Sequence, residues 1–419
     1  GRVGMNKAWI LFLLSPVSVW AQALPDYPMV LRVGGTADYG AGPSSLTTSA
    51  TAVFLDQFQP LTFGQTSPLQ TVAMPTNISG SQLRLTDGGL TTTAGYFTRF
   101  SNGQGYTVSG YNAAIGTTGV ASSAPGTINR TIGVITANGT GFQVDTSTGF
   151  NDGGASPAFR SVTSVDGSSY YAGTSSGIRY QNTPGSVTST QSIVTNNLRT
   201  VRIQDNTLFF NTTNGIFQAG PVGNPPTSSV TGTQLPGAIS SQTGNPSAYQ
   251  FYFFNNPLNS NTWSNTNYNT LYVADDRIAS SDGGLQRWIF NGNEWFRSAI
   301  RPYELNGNLG GLRGLTAVMD LSNPSAPLVH LWATSTLSNG NHLVYLSDTL
   351  TANSGFFGDG FETLATAPAN SAFRGVELSL IAVPEPATIV LFAGLSLGLA
   401  GTIYYRRQLR REQQETILS

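Results

Sequence analysis

Between residues 24 and 382, apolar and polar positions alternate in short runs separated by Gly, Asn, Asp, Ser and Pro. Residues 270–274, 330–334 and 342–346 are clear cases. Successive side chains of a strand point to opposite faces, so a period of two predicts half-buried β-strands. No stretch of this body has a long helical period. A motif recurs within the pattern. Ala158-Phe159-Arg160 returns as Asn197-Leu198-Arg199, as Gly311-Leu312-Arg313 and as Ala372-Phe373-Arg374, and two looser copies start at Tyr96 and Tyr249. The starts lie roughly 40 to 60 residues apart, which is the period of propeller blades rather than of helical solenoids. Each copy is followed by further strand-like runs, enough for one four-stranded blade per unit. The last copy is cut short near Ala382, and the runs at 30–33, 52–55 and 70–73 can supply its missing strands. The expected fold is all-β: a β-propeller of six four-stranded blades over residues 24–382, closed by a blade shared between the two termini. Seven blades is the alternative, and a pair of β-sandwiches comes third.

Composition narrows the class. The chain has 419 residues, 39% hydrophobic and only 10% charged, with 48 Gly and 22 Pro. Sixteen Tyr, 22 Phe and 6 Trp are too many aromatics for a disordered polar chain. A net charge of −1 argues against nucleic acid as a partner. The absence of cysteine removes disulfides, thiolate metal sites and a cysteine nucleophile. Low charge with abundant Thr, Ser, Asn and Gly suits an extracellular protein.

The two ends read as addresses. Met5-Asn6-Lys7 gives a basic start, residues 8–20 are apolar, and Ala21 and Ala23 are the small residues that a signal peptidase reads. Residues 5–23 are therefore expected to be a secretory signal peptide. At the other end, Pro384-Glu385-Pro386 precedes an uncharged apolar stretch over 387–405, then Arg406, Arg407, Arg410 and Arg411. Nineteen residues at about 1.5 Å each come close to the thickness of a bilayer core, which predicts a transmembrane helix. The arginines place its C-terminal end in the cytoplasm and the body outside. Pro-Glu-Pro, an apolar helix and a terminal arginine cluster, in that order, resemble the PEP-CTERM sorting signal of Gram-negative bacteria, over residues 383–419. The resemblance implies processing by a membrane-embedded exosortase, and delivery to the cell surface, outer membrane or extracellular matrix. The Gly394-x-Ser396-x-Gly398 pattern inside this stretch has no strand-to-helix turn and no triad partner, so it is not read as a nucleophile elbow. The body is similar, more loosely, to the propeller ectodomains that precede such signals.

Candidate chemistry is sparse. Arg160, Arg199, Arg313 and Arg374 occupy one slot of successive units. In a propeller, equivalent slots form a ring, which would offer planar donors to acidic glycans or else bridge neighbouring blades. Trp263 and Tyr268, in the Asn-rich loop at 255–269, are candidate sugar platforms. Asp275 and Asp276 end a strand and, with Glu294 or Asp320, are the carboxylates that could do glycoside hydrolysis. His330 and His342 have no metal-ligand spacing, and no metal or other cofactor is expected. Residues 271–295 resemble a kelch blade in one copy, and residues 280–284 are similar to the start of a sialidase Asp-box but read as a turn. The expected function is non-enzymatic, binding or organising extracellular polysaccharide. A glycoside-active enzyme and an envelope interaction scaffold are the alternatives.

Overall fold

The computed structural model describes residues 27–380, apart from 139–140, 155–156, 240–245, 265, 304–309 and 351–359. The expected signal peptide with Ala21 and Ala23, and the tail with Pro384, Glu385, Pro386, Arg406, Arg407, Arg410 and Arg411, lie outside the described residues. Among the described residues no helix is long and apolar enough to cross a membrane.

The chain opens with β1 (Pro28–Gly34), β2 (Ala50–Gln57), β3 (Gln70–Ala73) and β4 (Thr86–Gly88). Next come β5 (Thr98–Arg99), β6 (Gly105–Tyr111), β7 (Arg130–Asn138) and β8 (Gly141–Phe150). Then follow β9 (Phe159–Thr163), β10 (Tyr170–Thr174), β11 (Gly177–Gln181), β12 (Val187–Thr188) and β13 (Gln191–Val194). β14 (Val201–Gln204), β15 (Thr207–Thr212), β16 (Gly215–Ala219) and β17 (Gly232–Gln234) come after them. β18 (Ala248–Phe254), β19 (Thr270–Asp275), β20 (Gly284–Phe290) and β21 (Trp295–Arg301) form the next group. β22 (Leu312–Asp320), β23 (Leu328–Ser335), β24 (His342–Thr349), β25 (Glu362–Thr366) and β26 (Ser371–Leu378) complete the described chain.

The arrangement is all-β and propeller-like. Four sheets have four strands each: β9-β10-β11-β13, β14 to β17, β18 to β21, and β22 to β25. The remaining strands share one ten-stranded sheet. Within it β26 pairs with β1, β1 with β2 and β2 with β3. β5, β6, β7 and β8 pair in the same stepwise way. Short β4 joins the two groups, between β2 and β6, and β12 adds in parallel to β8. The N-terminal runs at 30–33, 52–55 and 70–73 thus lie on strands that extend from β26.

The motif copies all lie on or beside the first strand of a group, and neighbouring first strands are tied in a closed circuit. Tyr96 N donates to Arg160 O (3.1 Å), and Val201 N to Ser161 Oγ (3.0 Å). Thr200 Oγ1 donates to Tyr249 O (3.4 Å), and Leu315 N to Gln250 Oε1 (3.1 Å). Gly314 N donates to Thr334 Oγ1, which donates to Arg374 O, and Gly375 N returns to Gly95 O (3.0 Å). Residue numbers climb together along these contacts, as Ile203 N to Thr163 Oγ1 shows beside the Val201–Ser161 bond, so the first strands run the same way. They begin at one mouth of the central axis, where the repeated arginines sit, and end at the other. Ser379 N donates to Tyr27 O (2.8 Å) and Pro28 faces Leu378, so both ends of the described chain leave from this second, tail mouth.

The axis between the mouths is filled. Gln250, 2% exposed, accepts from Leu315 N and Val376 N and donates to Phe97 O (all 3.1 Å). One amide therefore holds four first-strand segments together. The crowding explains the glycine after two of the arginines. A Cβ on Gly314 would lie 2.4 Å from Arg374 O, and one on Gly375 would lie 2.9 Å from Gly95 O. Gly314→Ala is expected to lower stability by about 1–3 kcal/mol through overpacking. A denaturant titration checks this, and a midpoint shift worth under about 0.5 kcal/mol would contradict it.

Candidate functional site at the arginine mouth

The strand direction brings Arg160, Arg199, Arg313 and Arg374 to one mouth, around two tyrosines. Arg199 Nη1 donates to Tyr249 Oη (3.2 Å) and its Cζ lies 5.1 Å from the Tyr249 ring. Arg313 Cζ lies 5.6 Å from the same ring, and Tyr96 packs on Tyr249 with ring centroids 5.3 Å apart. Tyr96 and Tyr249 come from the two looser motif copies, and Tyr96 pairs with Ser161, one place past the arginine slot. Burial raises the pKa of both phenols, which keeps them neutral donors.

Each arginine also makes structural bonds. Arg160 Nη1 donates to Asn197 Oδ1 (2.8 Å) and to Leu198 O. Arg313 pairs with Asp276 (2.9 Å) and donates to Thr336 O (3.2 Å). Arg374, 1% exposed, donates to Gly89 O (2.7 Å). The ring therefore joins neighbouring units, yet donors are left over. Arg160 Nε and Arg374 Nε are buried without a hydrogen-bond partner. Among the described residues only Arg313 of the four is ion-paired, so the mouth has an excess of positive charge. Burial lowers the pKa of Arg160 and Arg374, and Arg160 feels Arg199 as a further like charge. Such a cluster of desolvated planar donors is suited to a carboxylate or sulfate group.

Asp87 stands close to Arg374. It is buried, and burial raises its pKa from the ordinary 3.8 to about 7, against the opposing pull of the Gly88 N–H and Arg374. A carboxyl whose folded pKa is raised favours the folded state while protonated. Its stabilising contribution is fully present below about pH 4 and is lost as pH rises towards 7. Asp87→Asn, which keeps an acceptor for Gly88 N–H, is expected to flatten the fall in melting temperature between pH 4 and 7. An unchanged slope would contradict this.

Other sequence candidates fall elsewhere. Trp263 and Tyr268 are not exposed platforms: they are 6% and 5% exposed and belong to the core with Phe253, Trp288 and Trp295. Tyr268 stacks on Phe253 at 5.2 Å and donates to Asp205 Oδ2 (2.6 Å). The loop's asparagines bond to its own backbone. Asn269 Nδ2 reaches Asn256 O and Asn259 O, which folds the loop over its aromatics. The carboxylates do not converge either. Asp275 is buried against Arg277 (2.9 Å) and Asp276 is held by Arg313. Glu294 and Asp320 sit at the opposite ends of their sheets, one strand length of about 20 Å away. His330 on β23 bonds to Tyr345 Oη on β24, and His342 on β24 bonds to Tyr303 Oη just after β21. Among the described residues no three His, Asp or Glu side chains gather as a metal site. Asp87, Gln250 and the two mouth tyrosines were not anticipated as site residues. Only the tyrosines had a signal in the sequence, the looser motif copies.

Residues 382–411 match the family model of the PEP-CTERM protein-sorting motif. The motif implies export and exosortase processing of a surface-sorted protein. No curated protein matches the chain. Among solved structures, the chain is similar to a candidate 6-phosphogluconolactonase of Bacteroides uniformis (12% identity, 81% of this chain, 83% of that one, TM-score 0.42). It is similar also to a chain of a nidogen–laminin complex (10%, 84%, 98%, 0.42). A third similarity is to an ancestral GH74 enzyme (11%, 80%, 40%, 0.37), of which it spans well under half.

Proposed function

We propose that this is an exported six-bladed propeller that binds acidic extracellular polysaccharide at its arginine mouth without cleaving it. The blade count takes the β26-β1-β2-β3 and β5-β6-β7-β8 groups as two blades joined by β4. The observation behind the binding role is the gathering of the repeated arginines around Tyr96 and Tyr249, two of them within 5.6 Å of the Tyr249 ring and, among the described residues, only Arg313 ion-paired. The geometry of the tail supports it. β26 ends at the opposite mouth, with three residues between it and the sorting motif. A membrane span at 387–405, with its arginine cluster in the cytoplasm, would then hold the tail mouth towards the membrane before processing and present the arginine mouth outward.

The test uses the full-length chain in detergent, incubated with polygalacturonate, dextran sulfate and neutral dextran. The acidic polymers should be retained and released by salt, neutral dextran should pass, and no new reducing ends should form. New reducing ends would replace this reading with a glycoside-active enzyme. Equal retention of all three, or of none, would remove acidic glycan as the ligand and favour an interaction scaffold.

A further inference from the structure

The tail mouth has its own cavity, about 160 Å³, lined by Arg99, Ser101, Arg202, Asp205, Tyr252 and Glu377 among others. It is built rather than incidental. Arg202 and Glu377, 6% and 1% exposed, form an ion pair across the axis from strands of different sheets. Glu377 Oε2 also accepts from Thr316 Oγ1 (3.4 Å), and Arg202 Cζ stands 4.6 Å from the Tyr252 ring. Arg99 Nη1 is fixed on Ser379 O (2.9 Å), and Asp205 Oδ2 accepts from Tyr268 Oη (2.6 Å). Gln250 closes the axis above, so this cavity and the arginine mouth do not share a ligand.

The walls choose the chemistry. Two guanidinium groups and two carboxylates balance, so a charged ligand would meet a like charge in either case. The lining is largely polar, which excludes an apolar ligand. A hydroxyl both donates and accepts, so a polyhydroxyl ligand can use Arg99, Asp205 and Ser101 together. The volume holds about five waters at about 30 Å³ each, the size of one sugar ring.

We propose that the tail mouth is a second binding site, for a single neutral sugar unit, independent of the arginine mouth. The experiment uses the full-length chain in a detergent with no sugar headgroup, with glucose, galactose and mannose as probes and glucuronate and glucosamine as charged controls. Saturation-transfer NMR should detect at least one neutral sugar in preference to both controls. Arg99→Ala should weaken it by roughly tenfold or more. Asp205→Asn should weaken it too, because a neutral amide is a poorer hydroxyl acceptor than a carboxylate, while asparagine tolerates the positive φ of 46° and leaves the backbone unstrained. Unchanged retention of polygalacturonate would report intact folding and an unaffected arginine mouth. The proposal fails if no neutral sugar binds, if a charged control binds more tightly, or if both variants bind as the parent does.

Discussion

Replacing Asp56 with alanine will lower the stability of the fold by about 3–5 kcal/mol, the loss expected when a buried ion pair is broken from one side. Arg32 on β1 and Asp56 on β2 are both fully buried, with Nε 2.6 Å from Oδ2. The guanidinium lies 4.3 Å from the Phe54 ring and 5.2 Å from that of Tyr39, and it also donates to Gly34 O and Thr36 O. Asp56 Oδ1 accepts from Thr71 Oγ1 (2.8 Å) on β3, so the pair ties three strands beside β26. Carbonyls alone leave the buried cation uncompensated. The double change Arg32→Met with Asp56→Leu removes both charges and should cost far less, because no charge is then stranded in the interior. Denaturant midpoints at unchanged slope check both variants. A loss under about 1 kcal/mol for Asp56→Ala would show that water reaches this pair.

Strand positions were legible because alternation is a local signal. The runs at 30–33, 52–55 and 70–73 fall on β1, β2 and β3, and the motif copies fall on or beside first strands. The arginine slot could also be read, since equal places in strands that run the same way meet at one mouth. Placement across the sheets was not legible. Glu294 and Asp275 share a unit, but β20 carries the chain to the other mouth between them. Trp263 and Tyr268 looked exposed because asparagine-rich segments usually face water. Here the amides satisfy the loop's own backbone instead, and the rings pack inward. Asp87 belongs to no copy of the motif, and its altered pKa arises from burial, which the residues around it in the chain do not announce.

Neutralising Arg160 and Arg199 together, as the double glutamine variant, will weaken binding of polygalacturonate by roughly 100-fold, at a smaller cost in stability than replacing Arg313 or Arg374, although the bonds of Arg160 to Asn197 Oδ1 and Leu198 O are lost as well. Each hydrogen bond to a charged group contributes about 1.5–3 kcal/mol, so each lost guanidinium accounts for roughly tenfold or more. The choice of these two follows from their partners. Arg374 is buried and bonded to Gly89 O, and Arg313 is ion-paired with Asp276, so replacing either would disturb the joints between units. Arg160 and Arg199 are half-buried, and Arg199 donates to the Tyr249 hydroxyl over its ring. Arg199→Lys keeps the charge but loses the planar fork and the stack on Tyr249, so it should retain only part of the affinity. A lysine variant as strong as the parent would mean that charge alone attracts the polymer. If the double variant still binds polygalacturonate and instead loses stability, the arginines serve the joints. The repeat would then be a requirement of the propeller and not of its ligand.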